Sequence, residues 1–138
     1  MRPVSRWVCG ACIIAFVCST GGCSDETVVG EGDSPSNILF PPSNVSYQVH
    51  VQPLFNQTCA LVGCHDDGQH PSALKLTSYD NVMFNTLQVV IRGQPDQSVL
   101  VLRIEGRLGQ RMPLDRNPLN QNQINGIRTW IAEGALNN

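Results

Sequence analysis

The apolar positions of this chain fall in short clusters, most of them at helical spacing. Val51, Leu54 and Phe55 lie three and four residues apart, which sets them on one face of a helix. Ser46 is placed to cap that helix as it runs toward Thr58, and Pro53 inside it predicts a kink or a break into two pieces. Ser78 can cap a second short run from Tyr79 to Phe84. Val89-Val90-Ile91 is a brief run of strand type, ended by the turn residue Gly93. A further helix begins at Asp96, carries Val99, Leu100, Leu102 and Ile104, and stops at Gly106. The last opens on Asn120 and Gln123, which resemble a capping box. It presents Ile124, Ile127, Trp130 and Ile131 on one side and has Gly134 just past its end. The whole predicts an all-α domain of three to five short helices with long connections.

The N-terminal stretch reads as an address and not as part of this fold. Arg2 and Arg6 make a positive start, and Trp7 to Cys18 is an apolar run too short to span a bilayer comfortably. Ser19-Thr20-Gly21-Gly22-Cys23 then brings small residues up to a cysteine, as a bacterial lipobox does. Residues 1–22 are accordingly a lipoprotein signal peptide, with Cys23 the lipidated first mature residue. Plain cleavage after the same stretch is the alternative. Residues 23–43 combine that cysteine with a tether rich in Gly, Ser, Pro and acid. Residues 44–138 form the domain, long enough for one modest core. The expected location is the bacterial cell envelope, lipid-anchored and either periplasm-facing or at the outer membrane or surface.

Charge narrows the function classes. The formal net charge is −2, acids and bases balance within the domain, and Lys75 is its only lysine. No basic patch exists to bind nucleic acid, and no strong field to steer a partner. A monomer is expected.

The chemistry concentrates in Cys59-Ala60-Leu61-Val62-Gly63-Cys64-His65. Two thiols a short loop apart, with a histidine directly after the second, follow the pattern of covalent c-type haem attachment. The usual C-x-x-C-H is lengthened here to C-x4-C-H. Each thiol adds to one vinyl group, and the adjoining imidazole supplies an axial nitrogen. Gly63 gives the backbone room to bend just before Cys64. Two other readings stay open on these residues alone. Cys59 and Cys64 could form a small disulfide, or the three residues could contribute to a structural zinc site that lacks its fourth ligand. Of the six cysteines, Cys9, Cys12 and Cys18 leave with the signal and Cys23 takes lipid, so no disulfide framework is implied.

A low-spin haem takes a second axial ligand, often a methionine thioether. Beyond Met1 the chain has Met83 and Met112. Met112 lies in Arg111-Met112-Pro113-Leu114, an irregular segment between two helices, and is the favoured ligand over simple loop packing. Met83 falls in a helical run, where methionine is more often core filler.

With these blocks in view, residues 46–135 resemble the small monohaem cytochrome c domains of bacterial lipoproteins and the planctomycete-type cytochrome c family. The resemblance is carried by Val51-Gln52-Pro53-Leu54-Phe55, Gly63-Cys64-His65, Leu74-Lys75-Leu76-Thr77-Ser78-Tyr79, Gly93-Gln94-Pro95-Asp96-Gln97-Ser98-Val99-Leu100, Arg111-Met112-Pro113 and the run from Ile127 to Ala135. It departs from the usual pattern in the longer cysteine loop. It implies one covalent haem c on Cys59 and Cys64, with His65 proximal and Met112 distal. The helix pattern fits a class I cytochrome c arrangement, with first and last helices crossing and Phe55 and Trp130 as candidates for the contact.

The function expected is electron transfer to and from a redox partner protein, with no catalysis. No Ser-His-Asp set, phosphate loop or carboxylate cage is present, and Asp66-Asp67 are too few for calcium. The rivals are a haem-free interaction module with a Cys59–Cys64 disulfide, and a haem sensor or peroxidase-like domain with an open sixth position. His50 and His70 are expected to be ordinary side chains, with His70 the understudy to Met112. Arg92, Arg103, Arg107 and Arg111 are candidates to meet haem propionates, Arg111 foremost because it adjoins Met112.

Overall fold

The computed structural model describes residues 36–68 and 73–138. Cys23, the signal segment, the first part of the tether and His70 lie outside them. All regular structure among the described residues is helical, and no strand occurs there.

The first helical stretch changes type just ahead of Pro53 without breaking. Tyr47–Val51 forms a π-helical turn that leads directly into α1, Gln52–Thr58. The Ser46 side chain accepts from the Val49 N–H, and the N–H groups of Val51 and Gln52 reach five residues back, to Ser46 and Tyr47. Pro53 has no N–H to continue such a ladder, but in the first turn of α1 its missing donor breaks nothing. Helix α2, Tyr79–Met83, is capped by the Ser78 side chain accepting from Asn81 N–H. A 3-10 turn, Pro95–Gln97, precedes α3, Val99–Ile104, so the helix expected from Asp96 begins three residues later as an α-helix. Helix α4, Gln121–Ala132, opens on the complete Asn120/Gln123 capping box.

The Val89-Val90-Ile91 run is extended but has no strand to pair with. Its polar groups are met by α3 instead: Val89 C=O accepts from Leu100 N–H at 3.0 Å, and Ile91 N–H donates to the Ser98 hydroxyl at 2.9 Å. Val89 and Val90 are buried, so the run is a wall of the core.

Tyr47, which the helical spacing does not pick out, joins the first and last helical segments through its ring. The Tyr47 and Trp130 rings lie 5.4 Å apart, and Tyr47 also meets Tyr79 edge-on at 5.0 Å. Phe55 is buried in the same core, as are Val51, Leu54, Ile127 and Ile131. The π-turn supplies the aromatic partner one turn upstream of the face that α-helical spacing selects.

The tether ends earlier than the composition suggests. Residues 36–45 run along α4. Gln123 donates to Ser36 C=O at 2.9 Å, Asn122 exchanges two hydrogen bonds with the Phe40 backbone, and Glu133 accepts from the Asn44 and Val45 N–H groups. Phe40 is buried over Gly126, whose missing side chain makes the space for its ring. Gly126→Ala gains about 1 kcal/mol of helix propensity, but its Cβ must displace Phe40, whose burial is worth roughly 1.5–3 kcal/mol. The expected outcome is a net loss of about 1–2 kcal/mol, read as a lower melting temperature. An unchanged or raised melting temperature would show that Phe40 does not hold this strap.

Charge also fastens the fold. Arg128 on α4 reaches Asp96 at 2.8 Å and Glu105 at 3.0 Å, and Arg107 bonds the same two carboxylates. Hydrogen bonding from Arg128 holds the Asp96 carboxyl below its ordinary range. The four charges tie the 3-10 turn and the C-terminal end of α3 to α4.

Candidate functional site

The cysteine loop leaves the end of α1 and returns on itself. Cys59 N–H donates to Phe55 C=O at 2.8 Å, Cys64 N–H to Leu61 C=O at 2.9 Å, and His65 N–H to Cys59 C=O at 3.1 Å. The last bond closes the neck of the loop, so the two extra residues are taken up in an outward excursion. Val62 at its tip is 94% exposed. Gly63 sits at φ +85°, a left-handed conformation that side chains strain, and this is the bend that turns Cys64 and His65 back.

His65 is oriented from the segment that follows. Its Nδ1 lies 3.0 Å from Leu74 C=O, and its own C=O accepts from Leu76 N–H at 2.9 Å. A carbonyl can only accept, so Nδ1 carries a proton, which leaves Nε2 as the nitrogen able to ligate. That is the tautomer a metal-binding imidazole uses. No side chain signals this contact in the sequence, because its acceptor is backbone.

Met112 arrives on a separate segment, between α3 and α4. Its N–H donates to Arg103 C=O at 3.0 Å, which pins the methionine loop to the end of α3. The side chain is half-buried against the core, and the Met112–Pro113 peptide is cis. Met83 also packs on the core, but does not reach the same space.

These residues surround one cavity of about 440 Å³. Cys59, Cys64, His65 and Met112 all line it, brought together from the end of α1, the cysteine loop and the methionine loop. Most of the remaining wall is aliphatic: Leu74, Leu76, Val89, Val99, Leu100 and Ile104, with the exposed Leu87 and Leu114 at its edge. The volume lies within the range of about 300–1,000 Å³ typical of ligand and cofactor sites.

The two thiols differ. Both are unjoined cysteines, Cys59 buried and Cys64 exposed. Burial pushes the Cys59 thiol up to about 11 despite a hydrogen-bonding contact with the Thr58 hydroxyl. It therefore stays protonated at neutral pH, the wrong direction for a nucleophilic or disulfide-exchanging cysteine. In haem-free protein, iodoacetamide at neutral pH is expected to label Cys64 promptly and Cys59 only on unfolding. Equal labelling rates in the folded state would contradict this placement.

The arginines are sorted differently from the sequence expectation. Arg103 and Arg116 line the cavity. Arg111 is exposed and lays its side-chain carbons beside Gly106. Arg92 is held by Tyr79 and by the carbonyls of Gly134 and Ala135, and Arg107 is committed to Asp96 and Glu105. Helical spacing was the signal for Arg103: with Val99, Leu100 and Ile104 it shares the face of α3 that forms the cavity wall. Nothing in the pattern marks Arg116. His50 is also accounted for, its Nδ1 accepting from Ser46 N–H at 3.1 Å.

No protein-family model, no curated protein and no solved structure matches the chain.

Proposed function

We propose that this protein is a c-type cytochrome that carries electrons through one haem, attached at Cys59 and Cys64 and ligated by His65 and Met112. One observation carries the reading. Two thiols, an imidazole and a thioether, drawn from separate parts of the chain, line a single cavity whose remaining wall is mostly aliphatic. That donor set fits a haem: thiols for two vinyl groups, nitrogen and sulfur for two axial positions, and apolar side chains for the macrocycle. The helical fold, with its first and last segments joined through Tyr47 and Trp130, supports a class I cytochrome c-like arrangement.

Bound there, a haem supplies reversible one-electron exchange at iron. The chain supplies the rest. His65 is held in the ligating tautomer by Leu74, and Met112 is carried on a loop fastened to α3. The aliphatic wall excludes water, and burial of this kind together with thioether ligation favours the reduced metal. Two protein ligands would leave no position for substrate, and Cys59, once joined to haem, would carry no free thiol. The role is electron carriage with a redox partner protein, by a monomer that does not bind nucleic acid. Lipidated Cys23 would tether it to a membrane of the bacterial cell envelope.

The test is production in a bacterial host with a c-type haem maturation system. Intact mass should show one haem that survives acid-acetone extraction, and an N-terminus at Cys23 bearing lipid. A mature protein with a Cys59–Cys64 disulfide and no haem would end the haem reading. Membrane partitioning unaffected by Cys23→Ser would end the anchor.

A further inference from the structure

Six arginines lie among the described residues, and their partners are unequal. Arg107 and Arg128 share Asp96 and Glu105, and Arg92 is bonded to two carbonyls and a phenol. Arg103 and Arg116, the two that line the aliphatic cavity, make no ion pair with any described residue. Arg103 is half-buried and Arg116 exposed, and a planar fork of donors without an acidic partner beside an apolar cavity suits a carboxylate on whatever the cavity holds. The ligand of this cavity should therefore carry carboxylates at the edge these arginines face.

Arg103 is more than a charge. Its own C=O holds Met112 N–H at 3.0 Å, and its Nη1 lies 3.4 Å from Gln110 C=O. Gly109, at φ +59°, leaves the space the guanidinium fills: a Cβ there would stand 2.5 Å from Nη1. One residue thus touches the methionine loop at Gly109, Gln110 and Met112 while facing the cavity.

We propose that Arg103 is a positioning residue for Met112, its guanidinium clasping a haem carboxylate and the Gly109–Gln110 turn together so that ligand binding fixes the methionine loop. This rests on the haem reading above. Arg116, four residues after Met112 on the same connection, also lines the cavity but makes no hydrogen bond to Gly109 or Gln110 among the described residues, and Arg111 does not line it. A lysine at 103 keeps the charge but lacks the planar fork needed to span both contacts.

The experiment uses full-length holo-protein and reads three signals. They are the methionine-to-iron charge-transfer band of the oxidised protein, carbon monoxide binding by the reduced protein, and the midpoint potential. Arg103→Lys should keep covalent haem and most of the potential but lose the larger part of the charge-transfer band and gain carbon monoxide binding several-fold. Arg116→Gln should lower the potential and leave the band intact. Arg111→Gln should match wild type. Arg103→Gln should combine both losses; the lysine variant carries the test where the glutamine variant does not mature. A wild-type band in Arg103→Lys, or an equal band loss in Arg116→Gln, would overturn the inference while leaving the haem reading intact. Absence of haem from the wild type would instead remove the reading itself.

Discussion

His65→Ala is expected to yield almost no haem-loaded protein. His65 is held by three contacts at once: its N–H on Cys59 C=O, its C=O on Leu76 N–H, and its ring on Leu74 C=O. Alanine keeps the two backbone bonds and loses the ring proposed to ligate. Disturbing only the partner of a metal-ligating histidine costs about 10–100-fold in affinity, so loss of the ligand itself should reduce recovered holo-protein by at least roughly tenfold. The core would also lose the apolar body expected to fill the 440 Å³ cavity. The measurement is haem content per chain by pyridine haemochrome, beside a melting curve. Wild-type haem content in the variant would show that His65 is not the proximal ligand.

Met112→Ala should act in another way. The covalent anchor is untouched, so haem content should stay near one per chain. The sixth position opens, the charge-transfer band disappears, carbon monoxide binds the reduced protein, and the potential falls as thioether ligation is lost. Met112→His should close the position again at a potential below wild type. Met83→Ala is the control. It removes a half-buried side chain away from the cavity and should cost about 1–2 kcal/mol, below the 2–5 typical of full burial, with no spectral change. Retention of the band in Met112→Ala would move the ligand assignment to Met83. Its absence from the wild type would favour His70 or an open site.

Much of the helical plan was legible along the chain because local signals there agree. Ser78 and Asn120 cap where they stand, the helix changes type just ahead of Pro53, and Ile124, Ile127, Trp130 and Ile131 all turn inward as their spacing requires. These are short-range effects, set by backbone donors within one turn. The failures are long-range. Val89-Val90-Ile91 has strand composition but meets α3, and a strand needs a neighbour that composition cannot supply. The Gly-, Ser- and Pro-rich stretch reads as tether through residue 43, yet its last part lies on α4 because Gly126, Asn122 and Gln123, some 80 residues away, form a track for it.

The site divides along the same line. By itself the sequence determined the chemical inventory and its order: two thiols around Gly63, a histidine after the second, and a methionine on a later irregular segment. Only the tertiary structure decided that these groups line one cavity, that Leu74 orients His65, and that Arg103 and Arg116 reach the wall while Arg111 does not. The physical reason is that a residue type and a φ preference are properties of a few neighbouring atoms. A cavity wall is the sum of contacts between segments whose separation along the chain says nothing about their separation in space.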